Sequence, residues 1–404
     1  MKDYAELALT ELPFAAFSDA AAMRGLLRDA RSVGPLARGM IGPMVVRHTV
    51  VDELIRDKRL RGPGMDLARI SGIPEGSRTW RRQQKVLLFM EGEDHHRLRR
   101  LVAKAFTPRA VDALRPYTRS VIRSLIDNVY SKGRCDATAS LTNPFPIPVI
   151  SALIGVEADR IDDMSRWAGS ILLGLRLDAG LFIDEMEKAQ LELDEYIGAL
   201  IAMRRRAPRD DLLSRLIAVE EAGDTLTAEE LHAVVAMMLV AGTDTTRNQL
   251  GNMIQTFTEY PDAWALLRQR PELVENAVEE AIRWQPATQG IPRVAIEDVV
   301  VDDVRIPAGS VVLLSSLSAN HDESVLPGAE RFDITREAPD GWQLLTFGGG
   351  IHYCLGANLA RVELTEALAE LSQRFETLRM DGEAVPNPPG SVINGYQHLP
   401  IAWQ

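Results

Sequence analysis

Residues 347–356 read Phe347-Gly348-Gly349-Gly350-Ile351-His352-Tyr353-Cys354-Leu355-Gly356, and residues 357–371 after them are strongly helix-forming. A thiol therefore stands just ahead of a helix. Unpaired backbone N–H groups and the positive end of the helix macrodipole favour thiolate over thiol there. The glycines clear side chains from the approach, leaving room for something flat and bulky against the backbone. Such a thiolate suits an axial haem ligand. On these residues alone other readings stay open. Glycine runs are commonly turns, and a lone cysteine is commonly a small buried hydrophobe. A nucleophilic cysteine paired with a histidine is a third reading, with His352 too near in sequence to be the natural base. A dinucleotide fingerprint fails because its last glycine falls on Tyr353, and no Gly-Lys-Ser/Thr phosphate loop occurs.

Upstream, Thr227 with Glu230 three residues later makes a capping box, and nothing breaks the pattern firmly until Tyr260-Pro261. The spacing predicts a helix of about 33 residues, roughly 50 Å long, enough to cross a whole domain. Inside it, Ala241-Gly242-Thr243-Asp244-Thr245-Thr246 thins one face. Hydroxyls there can bond back to the preceding turn, loosen the ladder and open a groove. Facing a haem, Thr245 would hydrogen-bond the reacting oxygen while Asp244 feeds protons from solvent. Without one, the same residues make a close helix crossing and a solvated acidic turn. Glu280-Ala281-Ile282-Arg283 sets a carboxylate and a guanidinium at i and i+3. Most such pairs are surface features of little consequence. On this apolar helix, ended at Pro286, the pair is expected to be buried and architectural, with Arg331 as a third member.

The rest of the chain fits one helix-rich body. Helical periodicity dominates from about residue 95 to 284; Leu98, Leu101, Val102, Ala105 and Phe106 form one such stripe, closed by Pro108. After Pro292, Val294 and Ile296, Val299 and Val301, and Val304 and Ile306 alternate with polar residues before the strand Val311–Leu314, so short antiparallel strands are expected. No repeat, low-complexity tract or linker interrupts residues 1–404, which predicts a single mainly α domain with a small β region.

The 404 residues are 46% hydrophobic and 25% charged, an ordinary globular composition. With 45 basic and 57 acidic side chains the net charge is −12, which opposes binding to nucleic acid or an anionic membrane. Two cysteines, Cys135 and Cys354, supply neither a disulfide framework nor a four-thiolate zinc site. Asp3, Glu6 and Glu11 argue against a secretory signal, and no run of about 18 uncharged apolar residues occurs. A cytoplasmic protein is expected.

Together the three motifs, in this order and at these separations, resemble the cytochrome P450 family of haem-thiolate monooxygenases, in its soluble bacterial type. The cysteine loop is similar to the family signature Phe-x-x-Gly-x-Arg/His-x-Cys-x-Gly at Phe347, Gly350, His352, Cys354 and Gly356. Glu280 and Arg283 match its Glu-x-x-Arg pair; Gly242, Asp244, Thr245 and Thr246 match its oxygen-activating helix. The resemblance implies a triangular, mainly α fold with the long central helix over haem b, Cys354 as iron ligand, and Asp244 and Thr245 delivering protons. His95 and Arg99 match its His-x-x-x-Arg, and Arg293 and His352 stand where propionate partners are usual, so four donors share two carboxylates. His96 stays a solvated helix-start residue.

The implied reaction uses O2 and two externally supplied electrons to hydroxylate a lipophilic steroid, terpenoid or fatty-acid-like molecule. Met237, Val240, Ala241, Ile291 and Ile393 would line its pocket; residues 78–85, with their basic run, would instead meet a carboxylate. The implied electron donor is a ferredoxin or flavodoxin with its NAD(P)H reductase, serving a monomer. Part of a basic patch would steer it: Arg78, Arg81, Arg82, Lys85, Arg97, Arg99, Arg100, Lys104 and Arg109, with Arg361. A peroxide-using or rearranging haem-thiolate enzyme is the alternative within this fold, and a non-catalytic haem sensor or small-molecule binding protein the alternative outside it.

Overall fold

The computed structural model describes residues 2–7, 9–13, 20–103, 106–221, 226–388 and 391–404. Its axis is the long helix. Thr227 Oγ1 accepts from the Glu230 N–H at 3.2 Å, and Glu230 Oε2 accepts from the Thr227 N–H at 2.9 Å. From that capping box the helix runs over Ala228–Glu259, 32 residues, and Pro261 opens the next one. Its N-terminal half packs among Pro146–Ile154, Ile161–Leu172 and Ile183–Arg206, and its C-terminal half among Arg115–Tyr130, Val274–Trp284 and Ala357–Arg374. One rod thus threads two apolar cores.

The expected loosening of this helix is absent. Thr243 Oγ1 donates to the Val240 carbonyl at 2.9 Å, and the α ladder continues through it. Gly242 serves a helix crossing instead: a Cβ there would lie 3.2 Å from Cγ1 and Cδ1 of Ile150. The stripe from His95 forms Gly92–Ala103. Pro108 does not merely end it but starts a short helix, Pro108–Asp112, capped by Thr107. The apolar pattern beyond is accordingly split, with Arg115–Tyr130 as a separate helix.

A five-stranded sheet runs in the order Leu36–Arg38, Pro43–Val45, Val311–Leu314, Ile291–Ala295, Leu60–Arg61. Ile291–Ala295 and Val311–Leu314 pair antiparallel as expected, with Arg293 opposite Val312. Two pairings are parallel: Pro43–Val45 with Val311–Leu314, and Lys2–Asp3 with Val304–Ile306. Their partners come from opposite ends of the chain, which local alternation does not report.

The Glu280–Arg283 pair is buried and bidentate, with Nε to Oε2 at 2.7 Å and Nη2 to Oε1 at 2.8 Å. Arg283 spends its other donors on the carbonyls of Asn320, Ala329 and Arg331. The expected third side chain is corrected here. Arg331 is exposed and lends only its carbonyl, whereas Arg336 Nε donates to Glu280 Oε2 at 3.1 Å. The cause is local chain direction: the Asp333 N–H donates to Glu280 Oε1 at 2.8 Å, which turns the segment so that position 336 returns to the carboxylate.

From this knot the chain leads into the cysteine loop. Asn320 donates to Thr346 Oγ1 at 2.9 Å and accepts from the Leu345 N–H at 3.0 Å, and Thr346 Oγ1 donates to the Ile282 carbonyl at 3.3 Å. Arg283→Ala is expected to lower the unfolding free energy by about 3–5 kcal/mol, since it strands a buried carboxylate. Arg336→Ala should cost about 1.5–3 kcal/mol and Arg331→Ala under about 0.5 kcal/mol. Urea denaturation followed by circular dichroism measures all three; equal losses at 331 and 336 would show that Arg336 is not the third partner.

Candidate functional site

A cavity of about 1290 Å³ separates the middle of the long helix from residues 347–356. The cysteine loop is shaped by its own backbone. The Cys354 N–H donates to the Phe347 carbonyl at 2.8 Å around a short 3₁₀ turn, Gly350–His352. Gly348 and Gly350 have φ of +75° and +62°, which L side chains rarely adopt. At Gly349 a Cβ would stand 2.8 Å from Ile55 Cγ2, so these glycines answer chain shape and the Ile55 contact as well as any ligand. At Gly356 an added Cβ meets nothing within 4 Å, and there the loop is open.

Cys354 opens onto this cavity, three residues before the helix Ala357–Arg374. The helix start favours a thiolate, and its surroundings oppose that pull. Burial pushes the thiol up, and it outweighs the Gly356 N–H and the guanidiniums of Arg99 and Arg361, which pull the other way. A metal cation at Sγ would reverse that balance by displacing the proton outright. On the same following helix, Glu363 is 1% exposed with neither oxygen partnered, and burial holds its carboxyl well above the usual range.

The side of the cavity next to the loop is cationic. His95 and His352 stand with ring centroids 4.6 Å apart, Arg99 donates to the Tyr353 carbonyl, and buried Arg293 donates to the Pro292 carbonyl at 3.0 Å. Arg293 makes no ion pair among the described residues, and both ring nitrogens of His95 lack a partner. Burial pushes His95 down to about 4, helped by the neighbouring His352 and Arg99. Sequence reasoning missed Glu91, which accepts from His352 Nε2 at 3.0 Å and from the Gly62 N–H at 2.5 Å. Burial raises its carboxyl, but those two bonds win and hold it below the ordinary value. Its spacing four residues before His95 was the available signal. His96 is exposed, as expected.

Across the cavity, Ala241 and Thr245, one helical turn apart, both face the space. Asp244, beside Thr245, also borders the cavity; it is 9% exposed, paired with Arg247, and accepts from Asn248 Nδ2 at 3.1 Å. Neither partner had been anticipated. Met237, Val240, Ile291 and Ile393 line the wall.

The basic patch is smaller than expected, because half of its members have acid partners. Arg78 and Arg82 share Asp194, Lys85 meets Glu229, Arg97 meets Glu230 and Asp94, and Arg361 meets Glu279. Arg81, Arg100 and Arg109 remain exposed, and Lys104 lies outside the described residues.

These residues fit a haem. A cavity with an open thiol on one wall, and a group of four cationic or donor side chains offset by one carboxylate, is chemically matched to a flat dianion bearing a metal.

The cytochrome P450 family model matches residues 175–398. The chain is 38% identical over 361 residues to luteothin monooxygenase of Streptomyces thioluteus, covering 88% of this chain and 87% of that protein. It is 38% identical over 320 residues to vitamin D(3) 25-hydroxylase of Pseudonocardia autotrophica, covering 78% and 77%. Among solved structures, P450BioI in complex with hexadec-9Z-enoic acid ligated acyl carrier protein superposes with a TM-score of 0.85 at 29% identity, over 96% of this chain and 100% of that one.

His95 yields a pH prediction. Its folded value near 4 lies below the unfolded 6.5, so between these the unfolded chain binds more protons. Protein purified without cofactor should lose stability as pH falls from about 6.5 toward 4, and His95→Gln should flatten that slope. Thermal melts across the range test it; an unchanged slope in the variant would exclude His95 as its source.

Proposed function

The chain belongs to the cytochrome P450 family and is a haem-thiolate monooxygenase; from that premise we propose that Cys354 ligates the iron of haem b. The observation that carries the reading is the facing of Cys354 and the Ala241–Thr245 stripe across one cavity, beside an undercompensated set of cations. His95, Arg99, Arg293 and His352 would hold the propionates, with Phe347, Gly350 and Gly356 shaping the loop. When bound, the haem supplies oxygen activation, which an electron-donating thiolate favours.

The remaining steps belong to side chains. Thr245 Oγ1 holds a proton on the cavity face, and the neighbouring Asp244 replenishes it, with Arg247 and Asn248 keeping its carboxylate oriented. The presence of both residues supports O2 over peroxide as oxidant. Met237, Val240, Ala241, Ile291 and Ile393 exclude water and orient a lipophilic substrate of steroid, terpenoid or fatty-acid type. A vitamin D(3) hydroxylase among its relatives and an acyl chain in a structural neighbour's complex support that class.

P450s draw electrons from a redox partner, and here a ferredoxin or flavodoxin with its NAD(P)H reductase would dock at Arg100 and Arg109. We take the protein to be a single-domain cytoplasmic monomer; among the described residues no helix is long and apolar enough to cross a membrane.

Cys354→Ala should lose the thiolate-type Soret band of the ferrous carbon monoxide complex, and persistence of that band would remove Cys354 as ligand. Thr245→Ala should keep the band while O2 consumption runs on without matching product; coupling equal to wild type would end the proton-delivery role. Arg100→Glu should slow reduction by an acidic donor, most at low ionic strength. A rate unchanged across salt would place docking elsewhere.

A further inference from the structure

We infer that the far lip of the cavity, built on Arg81 with Arg78 and Arg82, is an anion-binding subsite, and that the substrate is an amphipathic acid whose head group rests there while its apolar end reaches Thr245. This rests on the lipophilic-substrate reading and narrows it. The short helix Arg78–Gln83 presents Arg78, Arg81 and Arg82 at i, i+3 and i+4, hence on one face, and all three line the cavity.

Charge at this lip does not balance. Arg78 Nη1 and Arg82 Nη1 reach the two oxygens of one carboxylate, Asp194, at 2.9 and 2.6 Å. Arg81 is exposed, and its guanidinium has no ion pair or hydrogen bond among the described residues. Lys85 and Glu229 cancel each other. Three guanidiniums therefore face one acid, in a chain whose total charge is −12. A solvated helix face would carry such an excess outward; here it borders the substrate space.

The helix that bears these arginines is fixed in place. Ser77 caps it by accepting from the Trp80 N–H at 3.1 Å, Trp80 is buried, and buried Thr79 accepts from Gln190 Nε2 at 3.1 Å. A lip held this firmly pays little ordering cost when an anion arrives.

The span sets the shape of the ligand. His232 Nε2 lies 3.1 Å from the Asp194 carbonyl, so the lip is level with residue 232 of the long helix. Thr245 follows on the same uninterrupted helix, about 20 Å further along at 1.5 Å per residue. Between them the wall is apolar, with Leu172, Leu175, Met237 and Val240. A cationic end, an apolar barrel and a thiol at the opposite end select an elongated molecule with one charged terminus. A carboxylate and a phosphate monoester offer guanidinium the same chemistry.

The test uses the haem-loaded protein and calorimetric titration with hexadecanoate, hexadecyl phosphate and methyl hexadecanoate, repeated for Arg81→Gln and Arg81→Glu. Hexadecanoate or the phosphate should bind about tenfold tighter than the ester, with the larger gain identifying the natural head group. Arg81→Gln should erase that preference while leaving the ester's Kd unchanged, Arg81→Glu should invert it, and rising salt should weaken it. Oxidised products should carry oxygen in the half of the chain away from the head group.

Equal binding of acid and ester by the wild type would overturn the subsite and leave the lipophilic reading standing. Failure of all three probes to bind a protein with an intact thiolate band would overturn both. A preference surviving in Arg81→Gln, or oxidation beside the carboxylate, would overturn the assignment of the head group to this lip.

Discussion

The ion pair between Glu280 and Arg283 is the constraint from which the position of the thiol follows. Two opposite charges taken out of water repay their desolvation only when every remaining donor and acceptor is met. Here they are met by three carbonyls, the Asp333 N–H and Arg336, all from residues 320–336. The helix Val274–Trp284 and that irregular segment are thereby joined as one piece. Asn320 and Thr346 carry the connection to Phe347, and the Phe347 carbonyl takes the Cys354 N–H. A loop rich in glycine would otherwise sample many conformations; its anchorage upstream removes them.

Electrostatics inside the molecule oppose the electrostatics of the whole. The chain is acidic, yet its cavity carries unmatched positive charge both beside the thiol and at the far lip. An unpaired guanidinium nine-tenths or more buried, such as Arg293, is costly unless a negative group completes it. The fold therefore holds a charge pattern that only a bound partner satisfies. The raised thiol of Cys354 belongs to the same account, since the surrounding protein disfavours an anion there without a cation.

Much of this was legible in the residues because it depends on short-range rules. A capping box at Thr227 and Glu230 and a proline after Tyr260 bounded the long helix to within a residue or so. Cys354, His352, Arg293 and Arg99 line one cavity, with His95 packed behind His352, because the motif spacing carries the loop and helix geometry with it. The misses share a cause. Arg336 replaces Arg331 through a turn set by a backbone hydrogen bond, Glu91 enters through its contact with His352, and Asp244 is claimed by Arg247. Each depends on where a side chain points after packing. The parallel strand pairings likewise join segments hundreds of residues apart, beyond any local pattern.

Gly242 stands with its back to Ile150, so close that a methyl added there would force its neighbour to give by a few tenths of an ångström. Such a methyl would act as a shim between the rod and its neighbour, shifting Thr245 relative to Cys354. Changes at Ala241 or Met237, on the front of the rod, would do the reverse: they reshape the chamber and leave the spacing of the chemistry alone. Selectivity and reaction geometry are thereby adjustable from opposite sides of a single helix, and a lineage of such enzymes can drift in one without disturbing the other.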